Sequence, residues 1–155
     1  MDAGPSTQIA KAVIEEFAFK FLKHPFLLWL SESGKKVIKK DDDLANQLGI
    51  KIDASKHLPD IILVDVENEK TFFVFVEVVA TDGAMTEARK KAFYELTDKA
   101  GYERSQVLFV TAYLDRQSAG FKKTISQLAW NSYAWFVSEP DNLFVLKEGA
   151  IKLTE

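Results

Sequence analysis

Two acidic residues stand out because they accompany a pair of strongly apolar runs. The runs cover residues 61–66 and 71–79 and are rich in β-branched and aromatic side chains, which predicts two buried strands. Asp60 directly precedes the first run, and Glu77 lies inside the second. A buried carboxylate without a partner costs free energy. Glu77 therefore indicates a functional site, whereas Asp60 alone also suits an ordinary strand start.

The turn between the two runs predicts how the strands pair. If Asn68 and Glu69 form a two-residue hairpin turn, the resulting register places Asp60 directly opposite Glu77. Their Cβ atoms would then lie about 5 Å apart. Two carboxylates at that distance repel each other unless a cation lies between them, and magnesium prefers such oxygen ligands. A shift of the register by one residue would remove this pairing.

Composition excludes several classes of protein and metal site. The length of 155 residues suits a single domain, 1–155, and 47% apolar residues suffice for a core. The absence of Cys excludes disulfides and thiolate sites, and two His argue against zinc. No apolar stretch is long enough to span a membrane and no signal segment is evident, so we expect a cytoplasmic protein. The formal charge of −3 argues against tight nonspecific coating of DNA.

The order of predicted elements indicates an α/β fold, a three-layer αβα sandwich with a central mixed sheet. Asp41, Asp42 and Asp43 are interpreted as a helix start rather than a metal site, because acidic residues favour the first turn. The predicted helices cover 8–23, part of 40–55, 86–99 and 118–130. The predicted strands cover 26–30, 36–38, 61–66, 71–79, 106–113, 133–138 and 143–146, with a turn at 31–34 between the first two.

Several short motifs in this order resemble one known family. Pro59-Asp60, a hairpin and then Glu77-Val78-Val79 resemble the PD-(D/E)xK nuclease signature. Over residues 9–149 the chain is similar to the catalytic domain of BsuBI/PstI-type restriction endonucleases. The other matching segments are Ile14–Phe17, Lys20–Leu22, Arg89-Lys90, Val110–Ala112 with Asp115-Arg116, and Ala129-Trp130 before Trp135.

The resemblance implies a restriction-endonuclease-like αβα core, magnesium, and hydrolysis of double-stranded DNA in restriction–modification. Manganese is expected to substitute for magnesium. The chain departs from the superfamily signature at Val79, where lysine is usual, although family members also lack that lysine. It further departs at Ala84, where members tend to have Pro. Family enzymes carry an additional N-terminal half, so the chain is expected to be either a fragment or a stand-alone relative.

A basic residue is expected to replace the missing lysine. In an ideal helix over 86–99, the apolar arc is centred on Ala92 and includes Ala88 and Leu96. Arg89 lies nearest this arc and is the first candidate. Lys90 is the second because it matches the family, although it projects outward, and both are alternatively an ordinary solvated basic face.

The metal ligands are predicted to be Asp60 and Glu77, with the Val78 carbonyl. Glu16 flanks the inward face of the first helix and is a candidate third acidic ligand, or else surface charge.

Three hypotheses for function follow. The first is a magnesium-dependent type II restriction endonuclease in which an activated water attacks the DNA phosphate in line. Cutting both strands of a palindrome favours a homodimer with twofold symmetry. The second is a catalytically inactive nuclease fold that binds DNA or a protein. The third is an α/β domain without a site at these residues. The DNA sequence recognised and the cut position are not contained in the chain's motifs.

Overall fold

A computed structural model describes residues 4–32, 36–53 and 56–154, and it contains one seven-stranded mixed sheet. The strand order is β2-β1-β3-β4-β5-β6-β7. The β4–β5 and β5–β6 pairs are parallel, and the other neighbouring pairs are antiparallel. The strands are β1 (Pro25–Glu32), β2 (Lys36–Lys40), β3 (Ile61–Glu67), β4 (Lys70–Val79), β5 (Val107–Tyr113), β6 (Ser132–Phe136) and β7 (Leu143–Leu146). The predicted turn at 31–34 includes Ser33 and Gly34, which lie outside the described residues.

Helices pack on both faces of this sheet, which confirms the predicted three-layer αβα fold. One face carries a long helical segment formed by α1 (Pro5–Ala12), a π-helical turn (Val13–Phe17) and α2 (Ala18–Phe21). The opposite face carries α3 (Asp42–Leu48) and α4 (Glu87–Lys99), with α5 (Ala119–Thr124) farther along. No helix in the described part of the chain is long and apolar enough to cross a membrane.

The register of the β3–β4 hairpin is the one that the sequence predicts. Ile61 pairs with Val76 at one end, and Glu67 pairs with Lys70 at the other. The two turn residues, Asn68 and Glu69, have φ angles of 49° and 65°. Positive φ at both positions is the geometry of a type I′ turn, whose twist matches that of the flanking strands. The turn therefore sets the pairing along the whole hairpin.

Side chains cap the N-termini of α3 and α4, which lie on the same face of the sheet. Asp41 Oδ1 accepts the N–H of Leu44 at 3.0 Å, so the interpretation of Asp41–Asp43 as a helix start is confirmed. Thr86 Oγ1 accepts the N–H of Arg89 at 3.2 Å in the same way. The N-terminus of α4, directly after β4, is thereby anchored.

The fifth helix is shorter than predicted. It ends at Thr124, continues as a 3₁₀ turn over Ile125–Gln127, and is extended at Leu128. Thr124 Oγ1 donates to the carbonyl of Gly120 at 2.7 Å, a backbone contact that weakens the following turn. Ile125, which lies on the apolar face of an ideal helix, is 42% exposed.

A glycine in α5 makes the closest approach to the strand that carries Glu77. A Cβ atom at Gly120 would lie 2.5 Å from the carbonyl oxygen of Ala80 and 3.4 Å from Val79 Cγ1. Both neighbours belong to the end of β4 or follow it directly, and one of the two contacts is to rigid backbone. Gly120 thus allows α5 to rest against the backbone that follows Glu77.

We predict that Gly120→Ala destabilises the protein by about 1–3 kcal/mol, because the added methyl group forces α5 away from Ala80. Urea unfolding followed by circular dichroism measures the change. The control is Lys122→Ala, an exposed position on the same helix, for which we expect a change within about 0.5 kcal/mol. Equal stability of Gly120→Ala and the wild type would show that the helix has room to move.

Candidate active site

Asp60 and Glu77 are brought together at the end of the β3–β4 hairpin. The Asp60 N–H donates to Glu77 Oε1 at 3.1 Å, and the Val78 N–H donates to Asp60 Oδ2 at 2.8 Å. Each carboxylate therefore holds the backbone of the opposite strand. Since Ile61 pairs with Val76, Asp60 is the next residue beyond the ladder and faces Glu77, as the turn-based register predicts.

The two carboxylates differ in burial, and this difference controls their charge. Glu77 is 1% exposed, whereas Asp60 is partly exposed. Burial raises the pKa of Glu77 to about 8, and the negative charge of Asp60 contributes in the same direction. The guanidinium of Arg89 opposes both effects but does not cancel them. Without a bound metal ion, the surroundings therefore favour the protonated, neutral form of Glu77 up to about pH 8.

Arg89 is the cation that the fold brings to Glu77. Its Nη1 donates to Glu77 Oε2 in an ion pair, and the same nitrogen lies 3.4 Å from the carbonyl oxygen of Gly83. The turn after β4 and the Thr86 cap place the first turn of α4 beside the end of the strand. The side chain is 34% exposed, so the guanidinium also faces solvent.

The rotation of α4 differs from the prediction made with an ideal apolar arc. The residues buried on this helix are Lys90, Phe93 and Thr97, whereas Ala88 is exposed and Ala92 only partly buried. The large ring of Phe93 packs against Phe75 at 5.8 Å and sets the inward direction. Small alanines bury little area, so their spacing misplaced the arc. The expectation that Lys90 projects outward is therefore wrong.

Lys90 does not contact the carboxylate pair among the described residues. It instead binds the backbone of the turn at Trp130. Its Nζ donates to the carbonyl of Trp130 at 2.9 Å and lies 5.8 Å from the centre of the Phe109 ring. The residue is 7% exposed, and its aliphatic chain packs in the core between α4 and the sheet. The structure thus separates the two basic candidates, and Arg89 is the one that contacts Glu77.

Glu16 is not brought to the carboxylate pair, but its neighbour Glu15 lines the same cleft. Both residues lie in the π-helical turn Val13–Phe17. A π turn changes the direction of the side chains that follow it, and such turns are frequent at functional sites. Glu15 lies four residues after Lys11, which lines the same cleft, and their side chains form an ion pair at 3.9 Å, so ordinary helical spacing accounts for its position.

The pair opens into a cleft of about 720 Å³ at the end of the sheet. Acidic groups exceed basic groups along its walls. A phosphate backbone would be repelled there unless a cation entered with it. The charged residues and the histidine of the lining are Lys11, Glu15, Glu32, Lys56, His57, Asp60, Glu77, Asp82 and Arg89.

The donor set suits magnesium bound mainly through two carboxylates. Within the described ranges no group of three His, Asp or Glu side chains converges on one point. Magnesium commonly takes one or two carboxylates and fills its other positions with water and substrate phosphate. The Val78 N–H points to Asp60, and in an extended strand the N–H and carbonyl of one residue point to the same side. The Val78 carbonyl is thus a suitable additional ligand.

The chain matches one family model, and it resembles one curated enzyme in sequence and one solved structure in fold. The family model described as BsuBI/PstI restriction endonuclease domain matches residues 1–149. The type II restriction enzyme BsuBI of Bacillus subtilis is 26% identical over 140 residues, which are 90% of this chain and 42% of that enzyme. The SdaI restriction endonuclease structure is similar in fold, with a TM-score of 0.77, 23% identity, and coverage of 97% of this chain and 46% of that one. The chain therefore spans less than half the length of either relative.

The raised pKa of Glu77 predicts a pH-dependent stability. The folded pKa of about 8 exceeds the ordinary value of 4.5, so the folded state binds one more proton between those values. The free energy of unfolding therefore falls as pH rises from about 4.5 to about 8. Glu77→Gln removes this titration, and we expect its stability to exceed that of the wild type increasingly toward pH 8.

Thermal unfolding from pH 5 to pH 8, in a chelating buffer, measures this difference. The matched control is Glu95→Gln, which changes an exposed glutamate on α4 and should follow the wild-type profile. Parallel curves for Glu77→Gln and the wild type would mean that Glu77 is already ionised at low pH.

Proposed function

The chain belongs to the BsuBI/PstI restriction endonuclease family, and on that premise we propose that it is the catalytic domain of a divalent-metal-dependent DNA endonuclease. The proposed reaction is hydrolysis of phosphodiester bonds in double-stranded DNA. The observation that carries this proposal is the Asp60–Glu77 pair, in which one carboxylate is almost fully buried beside another. A bound divalent cation would stabilise the ionised form of Glu77 beside Asp60, and the pair opens on a cleft large enough for a phosphate backbone.

Asp60, Glu77 and the Val78 carbonyl would hold magnesium, with manganese as a substitute. A divalent cation in such a site neutralises phosphate charge and acidifies the attacking water. Asp60 is itself oriented by the Val78 N–H, and Glu77 by the Asp60 N–H. These backbone contacts fix the direction of both carboxylates before any ligand binds, so the cost of ordering them is met during folding.

Arg89 takes the place of the lysine that the superfamily signature has at the position of Val79. Val79 is 1% exposed and apolar, so β4 supplies no cation there. The guanidinium of Arg89 has five N–H donors in a planar fork. One nitrogen contacts Glu77 and Gly83, and the others remain available to a phosphate that enters the cleft. This arrangement would stabilise the charge that develops on the phosphate in the transition state.

The alternative proposal is a nuclease fold that binds DNA or a protein without cutting it. The contact that favours it is the ion pair between Arg89 and Glu77, which already satisfies part of the charge a metal would neutralise. Because the chain covers less than half of its relatives, sequence specificity and a twofold dimer are likewise proposals. A dimer would present two such clefts to the two strands of a palindrome.

We predict that Asp60→Asn and Glu77→Gln each lower magnesium-dependent cleavage of plasmid DNA roughly 100-fold or more, because ligand charge is lost. Both variants should remain folded, since the neutral side chains keep the shape. Magnesium should raise the melting temperature of the wild type but not that of Glu77→Gln. Glu95→Gln should cut and bind metal normally. Cleavage by either site variant at the wild-type rate contradicts the assignment, and metal binding without cleavage by the wild type favours the alternative.

Arg89→Ala should slow single-turnover cleavage roughly 100-fold while leaving metal-induced stabilisation in place. The control is Lys91→Ala, which removes an exposed basic residue from the same helix. Lys90→Ala should instead lower the melting temperature, because it removes the buried contact to Trp130. A larger loss of chemistry in Lys91→Ala than in Arg89→Ala would show that another cation reaches the phosphate.

A further inference from the structure

A histidine in the cleft is not used by the function proposed above. His57 lies in the segment that leads directly into Asp60, where Leu58 and Pro59 are buried but the His57 side chain is exposed. It lines the cleft together with Asp60, Glu77 and Arg89. The chain has only one other histidine, His24, which is exposed but does not line this cleft. Position alone therefore distinguishes the two.

The imidazole ring of His57 is held flat against Phe93. The ring centres are 5.9 Å apart, and the planes differ by 11°. Phe93 is 2% exposed and belongs to α4, one turn after Arg89. Residues four apart on a helix are neighbours on its surface. His57 and Arg89 therefore approach the same part of the cleft from two different elements, and the ring of His57 rests on a rigid base.

The ring nitrogens of His57 have no hydrogen-bond partner among residues 4–32, 36–53 and 56–154. Stacking uses the face of the ring, so both nitrogens at its edge remain accessible. They do not complete a metal site, because no third His, Asp or Glu of the described chain converges with the Asp60–Glu77 pair. A ring N–H that is held by stacking and has no partner in the described ranges is suited to donate to a substrate oxygen.

We propose that His57 donates a hydrogen bond from its ring to a non-bridging oxygen of a DNA backbone phosphate in the cleft. The proposal rests on the proposed nuclease function and extends it from the metal ligands to the substrate. His57 supplies a ring N–H donor on the Asp60 side of the cleft, and Arg89 supplies a charged donor from α4. In a cleft rich in carboxylates, two preplaced donors define where a phosphate is accepted. No covalent bond to His57 forms or breaks.

Two substitutions separate hydrogen bonding from packing. His57→Phe keeps a ring that can stack on Phe93 but removes the N–H, whereas His57→Gln keeps an N–H donor and removes the ring. We expect His57→Phe to weaken binding of a short DNA duplex roughly ten-fold in a buffer that contains calcium. The melting temperature of the protein should stay unchanged. His57→Gln should recover part of that loss. His24→Phe, the matched control, should bind like the wild type. Full binding by His57→Phe overturns the proposal.

A second measurement does not depend on cleavage. Because the chain has two histidines, its imidazole C–H signals in an NMR spectrum are few enough to follow individually. Titration with the duplex, and separately with dimethyl phosphate, should shift the His57 signals and leave those of His24 unchanged. If the wild type binds no duplex but dimethyl phosphate shifts His57, the nuclease proposal fails and the phosphate contact stands. If neither probe shifts His57, the contact is wrong.

Discussion

The close approach of two carboxylates at one end of a hairpin, one of them almost fully buried, is the constraint on which the site depends. Asp60 and Glu77 would repel each other, yet each accepts a backbone N–H from the opposite strand. These two hydrogen bonds fasten the open end of the hairpin, while the left-handed residues of its turn fix the other end. Burial and the charge of Asp60 oppose ionisation of Glu77, and α4 brings the guanidinium of Arg89 to it.

The helix after β4, α4, supplies the cation beside Glu77. Several independent contacts fix the position of this helix. Thr86 caps its first turn, Phe93 sets its rotation, and Lys90 ties it to the carbonyl of Trp130. With the helix held in this way, Arg89 reaches Glu77 with a single side chain. On the same side of the sheet, Gly120 lets α5 lie against Ala80 and supports the backbone that follows the strand. The site is therefore positioned by packing several residues away from it.

The acidic cleft and the net charge of −3 have a common consequence for the proposed cleavage of DNA. Attraction by general surface charge is weak, so productive contact with a phosphate requires specific donors and a metal ion. Arg89 already donates to Glu77, and His57 lines the same cleft without a hydrogen-bond partner in the described chain. The relatives are more than twice as long, which leaves room in such proteins for DNA contacts outside this fold.

The local pattern of the chain was sufficient to predict the strands, the register of the hairpin and the proximity of Asp60 to Glu77. It sufficed because a two-residue turn and strand alternation determine pairing over a few neighbouring residues. It also placed Arg89 on the side of α4 nearest Glu77, although through an apolar arc that the structure corrects. The burial of Lys90 and the support of His57 depended on contacts between distant segments. The ring of Phe93 sets the rotation that turns Lys90 into the core, and it also stacks on His57. Such contacts join segments far apart in the chain, so periodicity within one element cannot reveal them.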